Sequence, residues 1–197
     1  EDLLGYVAPS TSGNVLTSDG TTWVSSAVAA TLIGETDTAS PYLTALGSGA
    51  GVNNAADGLR NTAIGYEALN TNTTGDDNVA IGYAALKNST SASDNIAIGY
   101  QTLFSTTTGG SNTAQGYRAM YANTIGTSNT AMGFNALLSN QSGGSNSAVG
   151  YNALTSNTTA SSNTAVGREA LELNTTGASN VAVGYQALET NTTGQQN

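Results

Sequence analysis

The sequence predicts an all-β protein, a parallel β-roll or β-helix solenoid built from 17-residue repeats. Three observations predict it: a strict 17-residue period, strand-like residues at the start of each copy, and turn residues through the rest. The period is clearest where NTAIGYEALNTNTTGDD at 61–77 is followed directly by NVAIGYAALKNSTSASD at 78–94. We therefore interpret 61–197 as an array of eight 17-residue repeats, with Asn197 beginning a ninth.

Four positions of the repeat are nearly constant. Asn, Ala and Gly are invariant at the first, third and fifth positions, and Tyr holds the sixth except where Phe134 and Arg168 replace it. We expect these positions to form structural columns along the solenoid. In the first three copies the columns comprise Asn61, Ala63, Gly65, Tyr66, Asn78, Ala80, Gly82, Tyr83, Asn95, Ala97, Gly99 and Tyr100.

The length of the repeat predicts a coil rather than a straight strand. The opening residues, such as NVAIGY and NIAIGY, combine small and β-branched side chains, and NTTG-type clusters mark turns. Seventeen extended residues would span about 56 Å, whereas adjacent strands of a sheet lie only about 4.8 Å apart. Each copy must therefore wind into one coil if the structure advances by one strand spacing per copy.

The alternation within each strand suggests two packed faces. The fourth position is aliphatic or Met in seven copies, with Gln115 as the exception, and we interpret it as the interior of the coil. The opposite face carries only Asn, Ala and Gly, which permit a close approach of another backbone. We expect that face to pack against another copy of the chain, which predicts a homo-oligomer.

The residues before the array divide into two segments. Residues 1–42 are interpreted as an N-terminal connector with a short β-hairpin, in which Ser-Asp-Gly-Thr at 18–21 forms the turn and Trp23 is an apolar anchor. Residues 43–60 are interpreted as a degenerate first repeat of eighteen residues.

The composition argues against several classes of function. The net charge is −9, with only 4 Lys and Arg, so neither nucleic acid nor anionic membrane is an expected partner. There is no Cys or His, and no apolar run long enough for membrane insertion. The carboxylates are scattered, and Glu169 and Glu172 are the only nearby Glu pair. We expect no enzyme activity and no cofactor.

Two groups of residues leave alternatives open. Asp76, Asp77 and Asp94 are the densest acidic group, and stacking of adjacent copies could bring their oxygens close enough for Ca²⁺, although a solvated loop cluster is the simpler interpretation. The Tyr column could stack nucleic-acid bases or sugars, but a structural aromatic ladder is the simpler interpretation. Arg168 beside Glu169 indicates a surface ion pair.

NVAIGY and NIAIGY resemble the Asn-Ser-Val-Ala-Ile-Gly signature of trimeric autotransporter adhesin heads. The whole pattern NTAxGYxALxxNTTGxxN resembles repeats of phage tail fibres and other viral fibre proteins, and TSGNVLTSDGTTWVSSA at 11–27 resembles a segment that precedes such repeats. The resemblance covers roughly residues 9–197. It implies a homotrimeric fibre located on a virion surface or otherwise extracellular.

The leading hypothesis is therefore a structural and adhesive module, the shaft or head of a trimeric viral fibre that extends a host-binding tip from the particle. Its partners would be other virion proteins of the tail or capsid and a host-surface glycan or protein. The alternative is the head of a bacterial trimeric autotransporter adhesin. A third hypothesis is an ice-binding solenoid, which needs Thr at alternate positions of one strand face.

Overall fold

The protein is described here from a computed structural model that covers residues 16–18, 21–23, 43–54 and 58–197. Strand β1 (Leu16–Ser18) pairs antiparallel with β2 (Thr21–Trp23), with Leu16 opposite Trp23 and Ser18 opposite Thr21. The expected turn residues between them, and the rest of the expected connector, lie outside the described residues. In the described part of the chain, no helix is long and apolar enough to cross a membrane.

The array is a parallel β-solenoid with one coil per copy. Each coil contributes one three-residue strand to a nine-stranded sheet whose strands follow each other in chain order. The strands are β3 (Thr44–Leu46), β4 (Thr62–Ile64), β5 (Val79–Ile81), β6 (Ile96–Ile98), β7 (Thr113–Gln115), β8 (Thr130–Met132), β9 (Ser147–Val149), β10 (Thr164–Val166) and β11 (Val181–Val183). All-β architecture and the solenoid are thus confirmed.

The register between strands equals the length of the repeat. Thr62 pairs with Val79, seventeen residues on, and the same offset continues to β11. Between β3 and β4 the offset is eighteen, since Thr44 pairs with Thr62. Nine strands at about 4.8 Å per step make a sheet about 38 Å long across the strands.

Hydrogen bonds between coils continue well beyond the short strands. In the second regular coil, Val79 N–H donates to the Asn95 carbonyl (2.8 Å), Ala84 N–H to the Tyr66 carbonyl (2.8 Å) and Asp94 N–H to the Asp76 carbonyl (3.0 Å). Nearly the whole circumference of each coil therefore rests on the coils before and after it. This matters because three non-glycine residues per coil have positive φ, for example Glu67, Leu69 and Asp77. Such residues cost roughly 1–3 kcal/mol each and persist only where their surroundings hold them.

The interior of the coil lies on the opposite side of the strand from the side we predicted. The Asn and Ala of the first and third positions face inward: Asn78 and Ala80 are completely buried within the single chain. The fourth position faces outward, where Ile81 is only half-buried and Val183 is 68% exposed. The prediction that aliphatic side chains fill the interior was therefore wrong for the strand.

Leucines from the opposite wall of the coil fill the space that the small strand residues leave. The eighth and ninth positions, Ala85 and Leu86 in the second copy, are fully buried and join the strand alanines in one continuous core. Since the wall-to-wall distance admits Ala on one side and Leu on the other, a larger residue at the third position would not fit. The invariant Ala and Gly thus reflect packing inside one chain, and they no longer argue for contact with a second copy.

Candidate functional site

The invariant Asn of each copy forms a buried hydrogen-bonded ladder along the interior. The side-chain oxygen of Asn112 accepts bonds from the backbone N–H (3.0 Å) and the side-chain nitrogen (3.1 Å) of Asn129, and the pattern repeats from coil to coil. Asn129 Nδ2 also donates to the Gly143 carbonyl (2.9 Å). These partners satisfy buried polar groups that would otherwise be costly. The Asn column has a structural role.

A second buried ladder, which we did not predict, occupies the twelfth position. Asn140 Nδ2 donates to Asn123 Oδ1 (2.9 Å) and to the Gly143 carbonyl (3.0 Å), and Asn157 Nδ2 continues the chain of bonds to Asn140 Oδ1 (3.0 Å). These residues begin the NTTG-type clusters that we interpreted simply as turns. Their recurrence at one position was the signal that could have revealed the ladder.

The sixth position forms a stack of aromatic rings on the outside of the solenoid. Ring centroids of Tyr66, Tyr83, Tyr100 and Tyr117 are 5.1–5.2 Å apart, with interplanar angles of 5–12°. Phe134 and Tyr151 continue the stack at 5.0 and 5.2 Å. Because each ring face is covered by its neighbour, bases or sugars cannot stack between successive rings. The geometry of the Tyr column is that of a structural aromatic ladder.

Arg168 extends the stack instead of interrupting it. Its guanidinium carbon lies 5.5 Å from the centroid of Tyr151 and 5.6 Å from that of Tyr185, as in a cation–π contact. It also forms the expected ion pair with Glu169, at 2.8 Å. The hydrogen bond to Glu169, and then its charge, raise the pKa of Arg168 above the ordinary value.

A second aromatic stack, of only two rings, lies at the tenth position, and we did not predict it. Phe104 and Tyr121 stack at 5.1 Å, and the guanidinium of Arg118 lies 5.1 Å from the Tyr121 centroid and 5.5 Å from that of Tyr117. Arg118 thereby connects the two aromatic stacks. The two rings occupy equivalent positions of adjacent copies, so the repeat itself carried the signal.

Two members of the acidic group considered for Ca²⁺, Asp76 and Asp77, are engaged in other contacts. Asp77 receives two hydrogen bonds from the guanidinium of Arg60, at 2.6 and 2.7 Å, and Asp76 accepts one from the Leu59 N–H at 2.7 Å. The hydrogen bond from Arg60, and then its charge, lower the pKa of Asp77. Among residues 43–54 and 58–197, no cluster of three or more His, Cys, Asp or Glu is arranged to hold a metal ion. The geometry gives the calcium hypothesis no support.

The glutamate pair noted in the sequence is also occupied by neighbouring polar groups. Glu169 binds Arg168 and accepts a hydrogen bond from Gln186 Nε2 (3.0 Å), while Glu172 accepts one from Asn152 Nδ2 (3.0 Å). Lys87 is paired with Glu67 at 2.7 Å, and the hydrogen bond to that carboxylate raises its pKa. These ionisable groups are therefore engaged in hydrogen bonds or ion pairs at the surface.

The threonines of the turns are hydrogen-bonded from coil to coil. Thr73 Oγ1 donates to the Thr90 carbonyl (2.8 Å), and Thr90 Oγ1 donates to the Thr107 carbonyl (3.1 Å). On the strands, the outward fourth position is aliphatic, Met or Gln, so Thr does not occupy both outward positions of any strand in the described array. The array that the ice-binding hypothesis requires is not formed there.

The outward strand face is a candidate for contact with a partner. Its fourth-position residues form an apolar strip, interrupted once by Gln115, that consists of Ile64, Ile81, Ile98, Met132, Val149, Val166 and Val183. Ile96 and Val181, from the second position, widen it and are themselves exposed. No strand from β4 to β11 contains a charged residue. A long uncharged apolar surface on a chain of net charge −9 is a feature of interaction sites.

Comparison of the chain with protein-family models, with curated protein sequences and with solved structures finds no match.

Proposed function

We propose that this chain is a structural and adhesive fibre module, the shaft or head of a homotrimeric viral fibre of the kind found in phage tails. Its mechanism is mechanical: stacked coils form a stiff segment that holds a host-binding tip away from the particle. The segment would lie on the virion surface and join other virion proteins. The tip would meet a glycan or protein on the host.

The observation that carries this proposal is the apolar strip on a solenoid whose interior is already complete. Ala114, Asn112 and Met120 are fully buried within one chain, so the core needs no second copy. Met132 and Val166 remain 41% and 39% exposed on the outward strand face. Covering such side chains stabilises an assembly by about 25 cal/mol per Å² of apolar area.

Charge also favours assembly through the strip. Copies of a chain with net charge −9 repel each other, and the repulsion is weakest where no ionised group faces the partner. The outward strand face meets that condition from β4 to β11. The three-fold stoichiometry itself comes from the resemblance of NVAIGY and NIAIGY to trimeric fibre and adhesin repeats.

Light scattering on the protein tests the proposal, and we expect about three times the chain mass. The double variant Val149→Glu, Val166→Glu places two charges in the strip and should dissociate the assembly without changing the circular dichroism of the solenoid. The matched control is Thr159→Glu, Thr176→Glu, at exposed turn positions of the same coils. A monomeric wild-type protein, or equal dissociation by both double variants, would contradict the proposal.

A further inference from the structure

Four tyrosines of the outer aromatic stack stand on consecutive coils without interruption. The centroid distances are 5.2 Å from Tyr66 to Tyr83, 5.1 Å from Tyr83 to Tyr100 and 5.1 Å from Tyr100 to Tyr117. The parallel register of β4 to β7 fixes each ring beside the next. The four residues are 40–48% exposed, so the outer side of the stack reaches solvent.

The other tyrosines of the described coils lack a tyrosine neighbour in the stacks. Phe134 separates Tyr117 from Tyr151, and Arg168 separates Tyr151 from Tyr185. In the second stack, Tyr121 lies on Phe104. The solenoid therefore sets apart one run of four phenols, which we call the phenol run: Tyr66, Tyr83, Tyr100 and Tyr117.

We propose that the phenol run is a site of oxidative cross-linking, in which adjacent coils are joined by dityrosine. Each phenol gives up one electron and its hydroxyl proton, and the spin of the radical spreads to the ring carbons beside the oxygen. Two such carbons form a C–C bond, and the hydrogens on those carbons return to the oxygens as the rings regain aromaticity. The oxidant is hydrogen peroxide with a peroxidase: two tyrosines and one peroxide give one dityrosine and two waters.

The geometry favours this reaction between coils over reaction at random. The rings are held side by side before oxidation, which converts an encounter between two radicals into a reaction of fixed neighbours. The 40–48% exposure of these residues leaves room for the two rings to tilt as the bond forms. Coupling of Tyr66 to Tyr83 and of Tyr100 to Tyr117 uses all four rings.

The composition gives such a cross-link a role in this chain. With no Cys in the sequence, disulfides cannot join one coil to the next. A dityrosine closes a loop of one repeat, and like other cross-links it restricts the unfolded chain. The cross-linked solenoid should therefore have a higher melting temperature.

Treatment of the dilute protein with peroxidase and hydrogen peroxide tests the proposal, in a background where Tyr6 and Tyr42 are replaced by Phe. We expect dityrosine fluorescence, a loss of two hydrogens in intact mass for each cross-link, and linked peptides only among the phenol run. The same treatment in urea supplies the comparison, because unfolding removes the stacking. There we expect linked peptides that also include Tyr121, Tyr151 and Tyr185.

Two variants make the test specific to the stack. Tyr83→Phe with Tyr117→Phe leaves no adjacent tyrosine pair, yet preserves the stack, since Phe134 already occupies the same column at 5.0 and 5.2 Å from its neighbours. We expect native dityrosine to fall at least tenfold. Phe134→Tyr should extend the reaction to Tyr151. Three results would overturn the proposal. They are a dityrosine yield in the double variant equal to that of the wild type, the same linked peptides with and without urea, and no cross-link in the folded wild-type protein.

Discussion

The inward and outward columns of the solenoid differ sharply in the variation that they tolerate. The third position, which faces inward, is Ala in all eight copies, whereas the fourth, which faces outward, is Ile, Gln, Met or Val. Inward residues touch the far wall of their own coil and the coils on either side. Outward residues touch mainly solvent and their column neighbours. Invariance at the third position therefore reflects the packing of the coil interior.

The contrast between the two sets of columns also explains why the invariant residues are small or polar. Asn129 meets hydrogen-bonding groups of three other residues in the interior, and no apolar side chain could replace those bonds. Ala131 faces the same narrow space and is fully buried. The bulky residues lie outside because the strand side of the interior has no volume for them.

Deletion of one residue within a strand should destabilise the solenoid most, because it exchanges inward and outward positions. Without Thr113, Asn112 and Ala114 become adjacent and cannot both face inward, since successive side chains of a strand point to opposite faces. We expect a loss of more than about 4 kcal/mol in the free energy of unfolding. Urea denaturation followed by circular dichroism measures it.

Deletion of the whole coil 112–128 is the control for that experiment. It leaves every column in register, because each coil contacts only its neighbours, and should cost little while shortening the rod by about 4.8 Å. Equal damage from the two deletions would show that inward and outward positions are interchangeable.

Substitution of a column glycine should have the next largest effect. Gly116 has φ +134°, and a Cβ there would collide with the carbonyl oxygen of Gly133 in the next coil. Gly116→Val should cost about 3–4 kcal/mol from backbone strain and overlap together. Thermal denaturation of the variant measures the loss.

The variant Gly184→Val separates the cost of backbone strain from the cost of steric overlap with the next coil. Gly184 has a similar φ of +126°, but nothing lies within 4 Å of its would-be Cβ. We expect it to show only the strain, roughly 1–3 kcal/mol. Equal losses at both glycines would mean that the contact between coils adds nothing.

A smaller effect is expected from Asn129→Ala, which removes one link of the inner ladder. The variant leaves the Gly143 carbonyl and the Asn146 N–H buried without this partner. We expect a loss of about 2–3 kcal/mol, measured by urea denaturation. Thr130→Ala, one residue on and facing outward, should lose less than about 1 kcal/mol. A reversed order would contradict the assignment of faces.

The smallest effect should come from the exposed ion pair of Asp77 and Arg60. Because its pKa is lowered in the folded protein, Asp77 contributes stability that is present above its unfolded-state pKa and is lost as pH falls through the folded value. The melting temperature of Asp77→Asn should therefore lie slightly below that of the wild type at neutral pH and converge with it in acid. Melting curves across this range measure the difference. A gap that widens in acid would contradict the sign of the shift.

Much of the fold could be predicted from the sequence because the repeat has no insertions. The 17-residue interval between Asn61 and Asn78 fixed one coil per copy, and the observed register has the same offset. The faces could not be predicted so directly, since alternation shows that two faces exist but not which is inside. We assigned the aliphatic face to the interior, as in a sheet that packs against a large hydrophobic core. In this thin coil, Leu86 from the opposite wall fills the core instead.

The outer features were predicted unevenly for a similar reason. The Tyr column was evident because Tyr66 and Tyr83 share a position, and the ladder has the geometry that stacking of copies implies. The partners of Asp77 were not evident, because Arg60 belongs to the irregular copy before the array. Contacts that follow the period can be predicted from it, whereas contacts made by residues that depart from the period cannot.

The hydrogen bonds between coils, which run along the axis, also determine how the rod should respond to tension. A pull along the axis loads every bond of one coil boundary at once, from the Val79–Asn95 bond of the strand to the Ser111–Ser93 bond of the turn. A boundary should therefore resist until it fails as a unit and frees a whole coil. Seventeen residues stretch to about 56 Å, so each rupture should lengthen the chain by about 50 Å. A rod of this kind would absorb a sudden load in equal steps, one coil at a time.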